Sequence, residues 1–443
     1  MNKTVLSLSF IAISLFSIPA EAQKKWTIDD CIAYALENNI TLKKSRLQLE
    51  TAGEDVRTAR GALLPTLSGN TNQSLGYRPW QDNGITTVTN GTVNTKVNKT
   101  YYNGSYGMNA QWTVWNGNKN YNNLRISRLS EQQAELNVQE QANSIQERIA
   151  QLFVQCLYLN DAIGVNQASL ETSQKNEQRG QDMVEVGKMS KADLAQLSAQ
   201  RATDEYNVVS AQSQLATSKL QLKQLLEITD EDFDIAIPET TDEQVLTVIP
   251  ALQTVYEQAL ASRPEIDNRK LAIESSKLNL AVAKAGWMPT LSVSGGFTTS
   301  TNSLANNSWG SQMKTNTNMS AGLTLNVPIF DGWQTKSSVN RARLQQQQAQ
   351  LDLLDEQKTL YQTIEGFWLD ATTNQQKYRA AMVTRDSEQQ SYELLQEKFS
   401  LGLTNIIELL QGKDKLLAAQ QNTLQSKYLT ILNLQLLRFY SGM

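Results

Sequence analysis

The residues that could perform chemistry are few. The sequence contains no histidine and two cysteines, Cys31 and Cys156. Without histidine, Ser/His and Cys/His catalytic pairs are excluded, and the usual zinc sites lose a principal ligand. Each cysteine lies on the apolar face of a helical pattern, so we predict two buried free thiols, with a disulfide as the alternative. We therefore predict that the protein is not an enzyme and binds no cofactor or metal.

An acidic segment, residues 228–250, is the next candidate site. It contains seven Asp or Glu residues and no basic residue. Such a segment could bind a cation or a basic partner, but acidic runs are usually solvated linkers, and we favour the linker. Pro238 and Pro250 predict that it is not helical. The net charge of the whole chain is −4, so nothing basic indicates a nucleic-acid partner.

The N-terminus has the pattern of a secretory signal peptide over residues 1–22. Lys3 precedes an apolar stretch, and Ala20-Glu21-Ala22 matches a cleavage site. An N-terminal membrane anchor is the alternative. After residue 22 the sequence has no run of about eighteen apolar residues, so we expect no transmembrane helix in the mature chain. Strands could still cross a membrane.

The elements that organise the chain are two very long helices. The stretch from Gly332 to Gly402 contains no proline, and its larger apolar residues follow one another mainly at steps of three and four. This spacing predicts a helix over 332–401, about 105 Å long at 1.5 Å per residue. A narrow apolar stripe of this kind is typical of a coiled coil. A second proline-free run covers 118–186.

The two halves of the chain match each other. Shifted by 224 positions, Pro65-Thr66-Leu67-Ser68 coincides with Pro289-Thr290-Leu291-Ser292. Shifted by 215 positions, Trp115-Asn116-Gly117 falls on Phe330-Asp331-Gly332 and Val186-Gly187 on Leu401-Gly402. The chain is therefore predicted to be a tandem duplication.

Each repeat is predicted to run helix, strand, loop, strand, long helix, turn, helix. The first repeat, 23–227, has strands at 66–77 and 101–115, a long loop over 78–100, a long helix 118–186, a turn 187–190 and a return helix 191–227. Segment 228–250 separates it from the second repeat. That repeat, 251–443, has a helix 251–286, strands 290–300 and 319–330, a long helix 332–401, a turn 402–405 and a return helix 406–440.

The four strands are long enough to cross a bilayer at a tilt. In the last of them, Ala321, Leu323 and Leu325 alternate with polar residues, as lipid-facing and lumen-facing sides would. A soluble half-buried strand alternates in the same way. Because four strands cannot close a barrel and an open edge is not tolerated in lipid, subunits would have to pool their strands. Aromatic residues near the strand ends fit a membrane-interface girdle, or ordinary packing as the alternative: Tyr101, Tyr102, Trp112, Trp115, Trp287, Trp309 and Trp333.

These motifs, doubled and in fixed order over essentially the whole mature chain, resemble the TolC family of outer-membrane efflux proteins. The resemblance rests on Pro-Thr-Leu-Ser after the first helix, the aromatic-Asn/Asp-Gly motif after the second strand, and the turns 186–194 and 401–410. It implies an α+β membrane protein. In such a protein, a homotrimer forms a twelve-stranded β-barrel in the outer membrane, four strands per chain, continued by an α-helical coiled-coil tunnel in the periplasm.

The resemblance also implies partners at the helical turns, namely a periplasmic adaptor and, through it, an inner-membrane transporter. The adaptor contacts would be Gly187, Lys188, Met189, Ser190, Asp193, Gly402, Leu403, Thr404 and Asn405. The periplasmic entrance would contain Glu408, which matches an acidic-ring position of the family, and Gln411, where some members have a second acid. Thr404 stands where some members have an arginine. The alternative is that both turns are ordinary hairpins, with Asp193 and Glu408 complementing helix N-termini.

We therefore predict a passive exit duct for a tripartite efflux or type I secretion system. Partner proteins would gate it at the turns. An exported coiled-coil structural or adhesive protein without a barrel is the alternative, and an exported hydrolase fails for lack of a site. The resemblance implies that the partner pump selects the exported substrate.

Overall fold

The computed structural model describes residues 25–80, 83–88, 91–96, 98–229, 233–238 and 241–442. The predicted signal peptide, residues 1–22, lies outside these ranges. The chain divides into two compact units. The helical unit comprises the chain up to Asn39, Ile145–Ile249 and Leu369–Leu436; the sheet unit comprises Ile40–Ser144, Pro250–Trp368 and the residues from Leu437 onward.

The described residues form eight strands and ten helices, with one turn of 3₁₀ helix at Ala285–Trp287. In chain order these are β1 (Lys25–Trp26), α1 (Ile28–Asn38), α2 (Ile40–Gly61), β2 (Thr66–Tyr77), β3 (Asn83–Val88), β4 (Gly91–Lys96), β5 (Thr100–Trp115), α3 (Lys119–Glu185), α4 (Lys191–Leu225), β6 (Asp234–Ile235), α5 (Asp242–Val245), α6 (Leu252–Ser262), α7 (Pro264–Lys284), β7 (Thr290–Asn302), α8 (Trp309–Thr315), β8 (Asn318–Asn326), α9 (Gln334–Ser400) and α10 (Ile406–Ser441).

The sheet unit contains a four-stranded antiparallel sheet in the order β2-β5-β7-β8. The fourth strand is shorter than the predicted 319–330, because it ends at Asn326. Pro328 follows two residues later, and proline has no N–H for a ladder hydrogen bond. Pairing therefore stops ahead of it.

The predicted loop over 78–100 is wrong in part, because β3 and β4 form an antiparallel hairpin there. Ile85 pairs with Asn94 and Thr86 with Val93. The turn dipeptides Asn83-Gly84 and Asn90-Gly91 favour a loop, but each precedes a run rich in threonine, valine or isoleucine. Such β-branched residues favour strands.

The first predicted helix of each repeat, at residues 26–63 and 251–286, is broken at an equivalent position. Asn39 separates α1 from α2, and Arg263 separates α6 from α7, with non-helical backbone at both residues. The two positions differ by the same 224 residues that relate the repeats. In the second repeat the cause is Pro264, which occupies the first position of α7 and disfavours a helical residue before it. The single helix predicted over 251–286 is therefore two helices.

The two long helices, α3 and α9, contain 67 residues each. Both begin after two consecutive residues with positive φ: Gly117 and Asn118 before α3, and Gly332 and Trp333 before α9. These pairs again differ by 215 positions. The duplicated sequence therefore produces the same backbone turn at both junctions between a strand and a long helix.

The acidic segment 228–250 is held in the helical unit by some of its own acids. Asp242 accepts a hydrogen bond from the Tyr378 hydroxyl at 2.6 Å, and Asp234 forms an ion pair with Lys219 at 2.7 Å. The segment also contains the short helix α5, so the prediction that it has no helix is wrong in part. Two acids occupy the first turn of α5, where the helix dipole favours negative charge. Within the described ranges, no cluster of three or more His, Cys, Asp or Glu residues could hold a metal ion.

Both cysteines are buried and free, as predicted. Burial raises the pKa of the Cys156 thiol to about 11, so it is protonated at neutral pH. Across the part of the chain that the structure describes, no helix is both long enough and apolar enough to cross a membrane.

Candidate functional site

Both predicted turns reverse the chain through a glycine in the left-handed region. The φ angle is +74° at Gly187 and +73° at Gly402. This conformation costs a residue with a Cβ atom about 1–2 kcal/mol. A Cβ added at either glycine would meet no atom within 4 Å. The backbone conformation, and not crowding, therefore requires glycine at both turns.

The same hydrogen bond closes both turns. The N–H of Lys188 donates to the Met183 carbonyl at 2.8 Å, and the N–H of Leu403 donates to the Lys398 carbonyl at 2.8 Å. Each bond satisfies a carbonyl that the end of a long helix would leave without a partner, as in a Schellman motif.

The return helices are capped in corresponding ways. The Ser190 hydroxyl accepts from the Asp193 N–H at 3.1 Å and donates to the Asp193 carboxylate at 2.7 Å. The Asn405 side-chain oxygen accepts from the Glu408 N–H at 2.8 Å. Its amide group donates to the Glu408 carboxylate at 3.3 Å, and the Thr404 hydroxyl donates to that carboxylate as well. Both acids therefore complement a helix N-terminus.

A hydrophobic cluster connects the two turns inside the helical unit. Met189, from the first turn, packs against the cluster, and Ile406 and Leu409, at the start of α10, belong to it. The two turns are thus neighbours. The buried members are Leu197, Tyr392, Phe399, Ile406, Leu409 and Leu416.

Of the remaining predicted contact residues, Asp193 and Thr404 are half-buried and the others are exposed. Lys188 is exposed and Leu403 is 72% exposed. Glu408 and Gln411 are both exposed on α10, and their spacing of three residues places them on one face of the helix. The carboxylate therefore combines its capping role with access to solvent.

Sequence reasoning missed two glycines that allow close helix packing beside the turns. In the first hairpin, a Cβ added at Gly180 on α3 would lie 2.5 Å from a methyl carbon of Leu197 on α4. In the second, a Cβ added at Gly412 on α10 would lie 2.5 Å from a methyl carbon of Leu395 on α9. The shift of 215 takes Gly180 to Leu395 and Leu197 to Gly412. The two hairpins therefore contain the same pair with its members exchanged.

Sequence reasoning also missed a buried ion pair between helices of the two repeats. The Lys413 ammonium on α10 contacts the Asp204 carboxylate on α4 and the Ser173 hydroxyl on α3. These three residues are at most 3% exposed. Gln200 donates to Asp204 at 3.3 Å and to Asp414 at 3.4 Å. The sequence signal for this ion pair was Lys413, which lies four residues after Leu409 and interrupts the apolar stripe of α10.

The buried ion pair has no counterpart related by the duplication. The shift of 215 relates Lys413 to Ser198 and Asp204 to Ala419. Nearby, the buried Tyr392 hydroxyl accepts from Asn176 at 3.3 Å and from Gln396 at 3.2 Å. Burial raises the pKa of Tyr392, so its hydroxyl stays protonated. Near the two turns, the helices are therefore joined by polar contacts as well as by the hydrophobic cluster.

Comparison of the sequence with known proteins gives one family. The sequence profile of the family described as Outer membrane efflux protein matches residues 31–227 and 255–443. The outer membrane efflux protein BepC of Brucella suis is 21% identical over 93% of this chain and 84% of its own length. The alkaline protease secretion protein AprF of Pseudomonas aeruginosa is 24% identical over 92% of this chain and 82% of its own length.

Comparison of the structure gives the same fold. The crystal structure of the CmeC outer membrane channel of Campylobacter jejuni superposes with a TM-score of 0.79 at 17% identity. The match covers 100% of this chain and 94% of that one. It confirms the predicted fold class, with four strands per chain in the main sheet and long helices on both sides of each turn.

Proposed function

The chain belongs to the outer membrane efflux protein family and is an outer-membrane channel, and we propose that three copies close one barrel that continues into an α-helical tunnel. Its work is passive conduction, with opening and closing at the helical turns. The family consists of channel proteins. We assign no catalytic step to this chain.

The observation that carries the proposal is a sheet with two different faces. Residues opposite each other in the ladder share a face. On one face Leu67 lies opposite Ala110, Met108 opposite Phe297 and Val293 opposite Leu323. Leu67, Leu323 and Met319 on this face are 71%, 70% and 76% exposed. The other face is polar and includes Ser68, Asn70, Asn72, Asn109, Gln111, Ser292, Ser294, Thr298, Ser320, Thr324 and Asn326.

A large apolar face of this kind is not stable in water and has to be covered by another apolar surface. For an outer-membrane protein, that surface is the lipid of the bilayer. Among the described strands, β2 pairs only with β5 and β8 pairs only with β7, so each has one unpaired edge. Unpaired edges are not tolerated in lipid. Edge pairing between three copies, four strands from each, closes the twelve-stranded barrel and leaves the polar face around the lumen.

The aromatic residues of the sheet unit support a membrane-interface role. Trp115, Trp287 and Trp333 are 40%, 52% and 61% exposed near the strand ends. Trp309 contacts Tyr106 edge-to-face at 6.2 Å near the other end of the same face. Amphipathic rings of this kind are enriched where a bilayer meets water.

The helical turns are the proposed contact and entrance sites. The first turn presents Lys188, Met189, Ser190 and Asp193 to an adaptor, and the second presents Leu403, Thr404 and Asn405. Glu408 and Gln411, on one exposed face of α10, line the periplasmic entrance. Solute would pass from an inner-membrane transporter through the adaptor to this entrance.

One fractionation experiment separates the duct from an exported coiled-coil protein without a barrel. We expect the protein in the outer-membrane fraction, extracted by detergent as trimers whose gel mobility changes on heating. Purified trimers should conduct current across planar lipid bilayers. A soluble elongated oligomer with no conductance would contradict the proposal.

A crosslinking experiment tests the docking sites. A photo-crosslinker on cysteine at Lys188→Cys or Leu403→Cys should trap a periplasmic adaptor in intact cells. The same crosslinker at Leu351→Cys is the control, because this position on α9 in the sheet unit is 64% exposed, close to the 72% of Leu403. Crosslinks between copies of this chain alone, from both turn positions, would count against docking there.

A further inference from the structure

The charged residues of the sheet region are few, and their sign differs from that of the whole chain. Residues 66–116 and 289–330 contain one acidic and four basic residues, a net charge of +3, whereas the whole chain has −4. The strands β2, β5, β7 and β8 contain no charged residue. In the sequence, the five charged residues lie outside these four strands: Arg78, Asp82, Lys96, Lys99 and Lys314. Asp82 is outside the described residues, and Lys96 is the last residue of β4.

Arg78 lies at the end of the polar face. Its guanidinium carbon is 4.5 Å from the centre of the Tyr101 ring. Tyr101 pairs with Gly76, and a Cβ added at Gly76 would overlap that ring, so the ring lies over Gly76. Along β5, Tyr101 alternates to the same side as Asn103 and Asn109, which belong to the polar face. The Arg78 guanidinium is therefore on the side that faces the proposed lumen.

Lys99 lies beside Arg78 at the same end. The Arg78 N–H donates to the Lys99 carbonyl at 2.7 Å, and the Lys99 ammonium donates to the Pro79 carbonyl at 3.3 Å. Both side chains are attached where β2 ends and β5 begins. This is the end of the sheet away from Leu64 and Trp115, where the helices connect.

Lys314 lies on the opposite face. It belongs to α8, which packs on β7 through a hydrogen bond from the Thr299 hydroxyl to the Met313 carbonyl at 2.8 Å. Thr299 pairs with Tyr106 and shares the apolar face with Met108 and Phe297. Lys314 is therefore a basic residue of the sheet region that lies on the face away from the proposed lumen.

We propose that Arg78 and Lys99 form an anion-attracting ring at the outer mouth of the channel, which favours anionic solutes over cationic ones at the exit. The proposal rests on the proposed function, because three copies around one lumen turn two basic residues into a ring. Strands β2, β5, β7 and β8 contain no charged residue, and residues 78–99 contain three basic residues and one acid, Asp82, so each chain keeps a positive sum there although Asp82 opposes it. Low-dielectric walls focus the field of such a ring into the opening.

The test measures block of single-channel current in planar bilayers by a polyanion, inositol hexakisphosphate, added to each chamber in turn. In about 0.01 M KCl the Debye length is roughly 30 Å, so a ring of charges acts across the opening. We expect block from the outer side in the wild type. The double variant R78Q/K99Q should need about tenfold more polyanion for half block, within the range known for charged clefts. The K314Q control should behave as wild type.

Two further conditions separate charge from structure. R78K/K99R keeps both charges and should keep the block, and in about 1 M KCl, where the Debye length is roughly 3 Å, all variants should behave alike. Conducting channels with equal block in wild type and R78Q/K99Q, or equal loss of block in K314Q, would overturn the ring and leave the channel intact. A wild type that conducts no current would overturn the proposed function and the ring together.

Discussion

The two helical turns share a backbone and differ in their side chains. Both reverse at a glycine with φ near +70°, close with the same 2.8 Å hydrogen bond and place an acid at the third position of the return helix. The first turn is flanked by Lys188 and Lys191, whereas residues 402–411 contain one acid and no base. The duplication therefore preserved what the reversal requires and allowed the surface chemistry to diverge.

The packing below the turns diverged in a second way. Each hairpin has one glycine that faces one leucine. In the first hairpin the glycine is on the long helix α3, whereas in the second hairpin it is on the return helix α10. The buried pair of Lys413 and Asp204 joins the hairpins and occurs once. Two equivalent hairpins have thus become a non-equivalent pair, which is consistent with our proposal that the second turn lines the entrance.

The largest expected effect comes from breaking the buried ion pair. Lys413→Met leaves the Asp204 carboxylate buried without its cation, which should lower the free energy of unfolding by about 3–5 kcal/mol. Chemical denaturation of the detergent-solubilised protein measures this change. The matched control is Lys415→Met, an exposed lysine on the same helix, for which a change within about 0.5 kcal/mol is expected.

The double variant K413M/D204L tests whether the ion pair itself stabilises the hairpins. Replacing both charges by apolar groups should recover most of the loss, because the cost arises from the unpaired charge. A single variant K413M as stable as wild type would show that Asp204 does not depend on this lysine.

A smaller effect is expected from exchanging the glycine and leucine in the first hairpin. Gly180→Leu forces a side chain against Leu197 and should destabilise by about 1–3 kcal/mol. Adding Leu197→Gly reproduces the arrangement of the second hairpin and should recover most of that loss. Thermal unfolding of the three variants gives the coupling energy of the pair. Purely additive effects would contradict the exchanged packing.

The smallest effect is expected at the caps. Ser190→Ala and Asn405→Ala each remove the side chain that accepts from the third N–H of a return helix, at a cost of about 1 kcal/mol. The two losses should be similar, because the cap geometry is similar. Hydrogen exchange of the Asp193 and Glu408 amides reports the loss locally. A change at one turn only would break the equivalence.

Local chemistry made the turns predictable. Gly187 and Gly402, followed by Ser190 and Asn405, specify a reversal and a cap within a few residues. The long helices follow from proline-free stretches with apolar residues at helical spacing. Two predictions failed although the sequence contained the relevant signal. Pro264 divides the helix predicted over 251–286, and the β-branched residues of β3 and β4 form strands in spite of the turn dipeptides beside them.

Long-range contacts could not be predicted in the same way. Lys413 and Asp204 are 209 residues apart, and only the three-dimensional packing of α4 against α10 brings them together. The exchanged glycine and leucine likewise depend on which helix faces which. The sequence position of Glu408 allows both a helix cap and a fixed charge at the entrance, and the hydrogen bonds of its side chain depend on the folded turn. The structure establishes the cap, and the entrance remains our proposal.

The most direct test compares Glu408→Cys with Asp193→Cys in single-channel recordings. Both variants lose an equivalent capping acid. The wild type is the control for reaction at other positions, because its two cysteines, Cys31 and Cys156, are buried. A negatively charged methanethiosulfonate reagent added at the periplasmic side should change the current of Glu408→Cys and leave that of Asp193→Cys unchanged. A response in Asp193→Cys alone, or equal responses in both, would contradict the assignment of the second turn to the entrance.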